Sequence, residues 1–76
     1  MFTLYGTKEC KYCRMAKELL LRHNKPCKYI DVMDDIESLE MLVDRGFKTV
    51  PQIFYEGKHI GGYEDLVKYF DDKGGN

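Results

Sequence analysis

Apolar residues recur along this chain at two spacings, and the alternation between them predicts the order of elements. Phe2-Thr3-Leu4-Tyr5 opens as a strand-like run. From about Lys11 to His23, Tyr12, Met15, Ala16, Leu19 and Leu20 return at steps of three and four, which predicts a helix with one apolar stripe, stopped by Asn24-Lys25-Pro26. Cys27 to Val32 is a compact aromatic and β-branched run, a second strand, and so short a strand-helix-strand passage favours a parallel pair with a right-handed crossover. Asp34 followed by Glu37 resembles a capping box, after which Ile36, Leu39, Leu42 and Val43 mark a second helix, about Asp35 to Arg45, ending at Gly46. Gln52 to Tyr55 and Lys58 to Gly61 are strands joined by Glu56-Gly57, with Gly61-Gly62 closing the hairpin. A final helix, about Glu64 to Asp71, buries Leu66, Val67 and Phe70 and starts with two acids suited to its positive end, leaving residues from about 72 to 76 as a frayed tail.

The order β-α-β-α-β-β-α describes an α/β chain with a mixed four-stranded sheet flanked by helices, the thioredoxin-like arrangement. With 76 residues there is room for one domain, 1–76, and one modest core. Twelve Lys and Arg against thirteen Asp and Glu give a formal charge of −1, so charge offers no reason to expect a nucleic-acid or membrane-surface partner. No apolar run approaches the roughly 20 residues that cross a bilayer, and the start of the chain lacks the basic-then-apolar order of a signal peptide. Three cysteines, at 10, 13 and 27, cannot all pair within the chain. Reducing, cytoplasmic surroundings therefore fit better than secretion.

The chemistry concentrates at Cys10-Lys11-Tyr12-Cys13, placed directly after the first strand and at the start of the first helix. Cys-x-x-Cys beside a βαβ pattern points to thiol–disulfide exchange, because helix N-terminal amides favour thiolate and the spacing lets the two sulfurs bridge. Cys10 precedes the helix, with Lys8, Lys11 and Arg14 adding positive potential, and is the expected nucleophile. Cys13, inside the helix, is the expected resolving thiol. Two further segments in compatible order, Thr49-Val50-Pro51-Gln52 and Gly61-Gly62-Tyr63-Glu64-Asp65, make the chain resemble a glutaredoxin over nearly its whole length, in the compact form of the bacterial or phage members.

That resemblance implies a glutathione-dependent oxidoreductase with no bound cofactor, acting on protein disulfides and glutathione mixed disulfides, with ribonucleotide reductase as one client; nothing in the sequence demands a partner chain, so a monomer is expected. It implies a cis Pro51, which leaves the Val50 backbone free to pair with an extended peptide, and a groove walled by Tyr12 and Thr49. Gly62, Tyr63, Glu64 and Asp65 would hold the γ-glutamyl end of glutathione, with the acid near Asp65 accepting from its ammonium. Many relatives carry a basic residue where this chain has Thr7, so Lys8 or Lys11 would have to reach the glycine carboxylate; Lys11 also stands where Pro is frequent.

Three other functions compete with this one. A similar protein reduced by thioredoxin reductase would need no tripeptide groove, and an iron–sulfur carrier would use Cys10 with glutathione across two subunits. From another class, Cys10, Cys13, His23 and Cys27 read in order as a zinc set. Ten helical steps of about 1.5 Å put His23 roughly 15 Å from Cys13, against that set. Cys27 is expected as a small buried residue, and His23 and His59 carry no assigned role.

Overall fold

The computed structural model describes residues 1–74, with no statement on the side chains of the last two of these. The elements are β1 (Phe2–Gly6), α1 (Lys11–Arg22), β2 (Cys27–Asp31), α2 (Ile36–Asp44), β3 (Gln52–Tyr55), β4 (Lys58–Gly61) and α3 (Tyr63–Gly74). They form one mixed sheet in the order β2-β1-β3-β4. β1 runs parallel to β2, Phe2 opposite Cys27 and Gly6 opposite Asp31, and antiparallel to β3. The parallel pair is the one expected of the strand-helix-strand passage. The β3–β4 hairpin turns through Glu56 at φ 51° and Gly57 at φ 81°. Two successive positive φ angles are the twist that a two-residue hairpin needs, and Gly supplies one at no steric cost.

The two faces of the sheet carry two clusters. On one, Phe2, Leu4 and Ile53 pack against Cys13, Ala16 and Leu20 of α1 and against Leu66 and Phe70 of α3. On the other, Phe54 and Val32 pack against Leu42 of α2. Ile53 and Phe54 are neighbours in sequence and point to opposite faces, as the pleat requires.

This packing corrects several expectations. The buried stripe of α1 is Cys13, Ala16 and Leu20, while Tyr12, placed in the stripe by its spacing, is 53% exposed. The space under the first turn is taken by the Cys13 sulfur against Gly6, so no large ring fits there. In α2 only Leu42 is buried, and Ile36 and Val43 stand in solvent, because this helix has only the small Val32–Phe54 patch to cover. Its cap is Asp35, one residue later than expected, accepting from the Ser38 amide at 3.4 Å and the Ser38 hydroxyl at 2.9 Å. Asp34 is already committed, its amide donating to the Asp31 carbonyl in the turn after β2. α3 buries Leu66 and Phe70 as expected, leaves Val67 only half-buried, and runs past Asp71 to Gly74, since Asp72 and Lys73 contain no helix breaker. Residues 75–76 of the expected frayed tail lie outside the described residues.

Candidate active site

β1 delivers the chain to the C-terminal edge of the sheet, and the loop after Gly6 hands it to α1 with Cys10 as the N-cap residue. Cys10 has extended backbone angles, φ −92° and ψ 116°, and its sulfur accepts from the Cys13 amide at 3.2 Å. This is the position that Ser or Asp usually fills with oxygen, and here a sulfur receives an otherwise unpaired amide. Cys10 is half-buried, and its Sγ lies 3.8 Å from the Val50 carbonyl. Cys13 is fully buried one turn below, and Cys10, Cys13 and Cys27 are all free thiols here. Burial, then the bond to Cys10, pushes the Cys13 thiol up from 9.0 to about 12, while the Thr7 amide and the Tyr29 hydroxyl pull more weakly the other way. The two sulfurs are thus unequal: one at the surface under a helix terminus, one dry and protonated.

Beside Cys10 a shallow groove of about 350 Å³ is lined by Tyr12, Thr49, Val50, Pro51, Gly62, Tyr63, Glu64 and Asp65. The Val50–Pro51 peptide is cis. Tyr12 and Tyr63 flank the groove with ring centroids 6.0 Å apart, which accounts for an aromatic left outside the core. At the far end Asp65, three residues into α3's first turn, accepts from the Gly62 amide at 3.0 Å. Gly61 has φ +130°, and a Cβ there would stand 2.8 Å from Asp65 Cβ, so only glycine allows the approach. All eight residues expected in the peptide groove, apart from the two lysines, meet in this one place.

The glutaredoxin family model matches residues 2–60, well over half of the chain. The chain belongs to the glutaredoxin family. It is 36% identical to the glutaredoxin of Enterobacteria phage T4, over 92% of this chain and 99% of that one. Glutaredoxin 1 of Salmonella typhimurium is 40% identical, with 87% of this chain and 86% of the relative covered. The hybrid peroxiredoxin hyPrx5 of Haemophilus influenzae is 41% identical over 80% of this chain, which spans only 25% of that protein's length. Among solved structures, a buckwheat glutaredoxin–glutathione complex superposes with a TM-score of 0.81 at 27% identity, over 93% of this chain and 68% of the other. The thioredoxin-like fold and thiol–disulfide oxidoreductase chemistry follow from membership in this family.

The structure does not bring Lys8 or Lys11 to the groove wall. Lys8 lies with its Nζ 3.7 Å from Asp34 Oδ2, both side chains largely exposed. An exposed pair of this kind is worth only about 0–1 kcal/mol and leaves Lys8 free to move. The zinc reading fails on placement. Cys27 pairs with Phe2 at the opposite end of the sheet from Gly6, and His23 stacks on Phe70 with centroids 3.9 Å apart. Among the described residues no three His, Cys, Asp or Glu side chains gather as a metal site. Cys27 is only half-buried, packed on the main cluster, and burial raises its thiol as well.

Two groups of residues behind the site have no role in the sequence reading, a Gln52–His59 pair and Tyr29. Gln52, 93% buried by its 7% exposure, donates from Nε2 to the Thr49 carbonyl at 2.9 Å, and its Oε1 lies 2.7 Å from His59 Nε2. His59, stacked on Phe47 at 4.4 Å, therefore holds the groove loop through Gln52, although it sits on the edge strand. The other is Tyr29, whose hydroxyl donates to the Thr7 carbonyl at 2.6 Å under the thiols. Gln52 stands in the Thr49–Gln52 segment that carries the resemblance, but nothing local gives it a role; for Tyr29 there is no local signal.

The raised Cys13 thiol carries a stability prediction. The folded protein keeps the Cys13 proton at a pH where the unfolded chain has lost it, so this stability is complete below about pH 9 and disappears as pH rises towards 12. Tyr29, raised from 10.0 to about 12 chiefly by burial, acts in the same direction. The melting temperature of the reduced protein should fall across that window, and Cys13→Ala should make the slope shallower. Equal slopes in thermal melts of the two proteins would count against a buried, protonated Cys13.

Proposed function

We propose that this chain is a glutathione-dependent thiol–disulfide oxidoreductase in which Cys10 attacks and Cys13 resolves. The observation that carries this reading is the groove of Tyr12, Thr49, Val50, Pro51 and the Gly62–Asp65 turn opening beside the Cys10 sulfur. The Cys10 thiolate attacks one sulfur of a substrate disulfide; a new S–S bond forms at Cys10, the old one breaks, and its electron pair leaves on the second substrate sulfur, which takes a proton from water. With a glutathione mixed disulfide, Cys10 takes the glutathionyl group. A second glutathione thiolate then discharges it, giving glutathione disulfide and regenerating Cys10.

With a protein disulfide, Cys13 attacks Cys10 instead and releases the reduced client. Two glutathiones then reduce the Cys10–Cys13 disulfide. An extended tripeptide in the groove would pair its backbone with Val50 and place a carboxylate at the amides opening α3, where helix-terminal N–H groups favour anions. The buckwheat relative's complex with glutathione supports that ligand. Asp65 uses one oxygen on Gly62, leaving the other for an ammonium group. Lys8 or Lys11 would have to swing to meet the second carboxylate. We assign residues 1–76 to one glutaredoxin domain, working as a monomer in a reducing compartment such as the cytoplasm, with ribonucleotide reductase as a client. No helix of the described residues is long and apolar enough to cross a membrane.

The test is a choice of reductant. Reduction of a small glutathione mixed disulfide, coupled to glutathione and glutathione reductase, should turn over. Thioredoxin reductase without glutathione should not. Turnover with thioredoxin reductase alone, and none with glutathione, would replace this reading by the thioredoxin-reductase one.

A further inference from the structure

Cys13 must lose a proton before it can attack, yet it is fully buried. Beside it lies the Tyr29 hydroxyl, which can both accept a hydrogen bond and give one. Tyr29 stands on β2 opposite Leu4, with its ring packed against the main cluster. Its hydroxyl and the Cys13 sulfur close on one spot: a Cβ added to Gly6 would stand 2.7 Å from Cys13 Sγ and 2.9 Å from the Tyr29 oxygen. That oxygen also donates its only hydrogen to the Thr7 carbonyl at 2.6 Å.

One hydrogen cannot serve two acceptors, and the two states of Cys13 present different ones. While Cys13 is a thiol, the Tyr29 oxygen can accept from S–H and donate to Thr7. Once the sulfur is a thiolate it becomes the stronger acceptor, because bonds to charged groups exceed bonds to neutral carbonyls. We propose that Tyr29 is the hydrogen-bond partner of the resolving thiol, turning its hydrogen from the Thr7 carbonyl to the Cys13 sulfur when that sulfur becomes the attacking thiolate. This rests on the assignment of Cys13 as the resolving thiol. In the step itself the Cys13 proton passes to water, the Cys13–Cys10 S–S bond forms, and the Cys10–client bond breaks. Its electron pair leaves on the client sulfur, which is protonated from water. Tyr29 ends with the proton it began with.

The other charged groups facing this pair are Cys10, from the turn above, Asp31 on β2, and Lys17 of α1, whose Nζ lies 5.5 Å from the Tyr29 ring centroid. Asp31 opposes negative charge here; Cys10 does so only while its own sulfur is free, not in the mixed disulfide that Cys13 attacks. Lys17 favours it but sits over the ring.

Tyr29→Phe removes the hydroxyl and keeps the ring. Reduction of a protein disulfide should fall about tenfold and its pH profile should move up by about one unit. Removal of glutathione from a mixed disulfide, which needs only Cys10, should stay near wild type, both alone and on a Cys13→Ser background. In a Cys10→Ser protein, alkylation of Cys13 against pH should show the same upward shift on adding Tyr29→Phe. An equal fall in both activities would mean that Tyr29 only anchors the Thr7 loop, and would overturn the proposal. So would no change in either activity. If Cys13→Ser by itself left protein-disulfide reduction intact, the thiol assignment beneath the proposal would be what had failed.

Discussion

Replacing Cys10 with serine should reduce both activities to the background of free glutathione, whereas Cys13→Ser should abolish only protein-disulfide reduction. The asymmetry is physical. Cys10 is half-buried at the start of α1, receives the Cys13 amide at 3.2 Å and opens onto the peptide groove, so an incoming disulfide meets this sulfur first. A serine hydroxyl stays protonated at neutral pH and forms no disulfide, so nothing in the mutant can replace the missing bond. Cys13 is enclosed and protonated, so in the proposed reaction it meets a disulfide only once Cys10 has formed one. Removing it leaves glutathione to discharge Cys10 from solution. Serine is close to cysteine in size, and the Thr7 amide and Tyr29 hydroxyl around Cys13 give its oxygen partners, so the mutant should fold. Assays of both variants with both substrates decide the matter. Full activity of Cys10→Ser would reverse the roles.

Gly6→Ala should cost about 1–3 kcal/mol, the usual range for overpacking a filled core. The new methyl would stand 2.7 Å from Cys13 Sγ, 2.9 Å from the Tyr29 oxygen and 3.1 Å from Cys13 Cβ, each shorter than an ordinary contact. Relief is limited on every side: Cys13 is fixed in α1 and fully buried, and Tyr29 is tied to Thr7. In a domain of this size total stability is only about 4–11 kcal/mol, so the loss is a large share of it. A drop in melting temperature of roughly 4–8 °C per kcal/mol follows. Because the methyl enters between Cys13, the proposed resolving thiol, and its hydroxyl neighbour, protein-disulfide reduction should suffer more than deglutathionylation. A melt unchanged from wild type would show that the space above Gly6 is looser than the packing indicates.

Much of the groove's lining is legible in the sequence. The Cys10–Cys13 spacing, its place between a strand and a helix, and the Thr49–Gln52 and Gly61–Asp65 segments are local patterns. The structure gathers Tyr12, Thr49, Val50, Pro51, Gly62, Tyr63, Glu64 and Asp65 along one groove. Errors arose where one pattern served two ends. Tyr12 fits an apolar stripe by spacing and a groove wall by chemistry, and only the room beneath the helix decided between them. Asp34 and Asp35 are both good caps; the turn that consumed the Asp34 amide chose Asp35. Lys8 and Lys11 are expected at the groove only through the family resemblance, in place of a basic residue where Thr7 stands; neither lines it, and Lys8 lies beside Asp34.

By itself the sequence determined the order of elements, the parallel and hairpin pairings, the place of one cysteine before and one inside the first helix, and the segments that border them. These depend on periodicity and turn chemistry acting between near neighbours, and such information is written in consecutive residues. Only the tertiary structure decided which groups lie beneath the thiols and behind the groove. Tyr29 reaches Cys13 across the register of β1 with β2, and His59 reaches Thr49 through Gln52 across the register of β3 with β4. Contacts of that kind arise when separate elements pack on a shared sheet, so no window along the chain contains them.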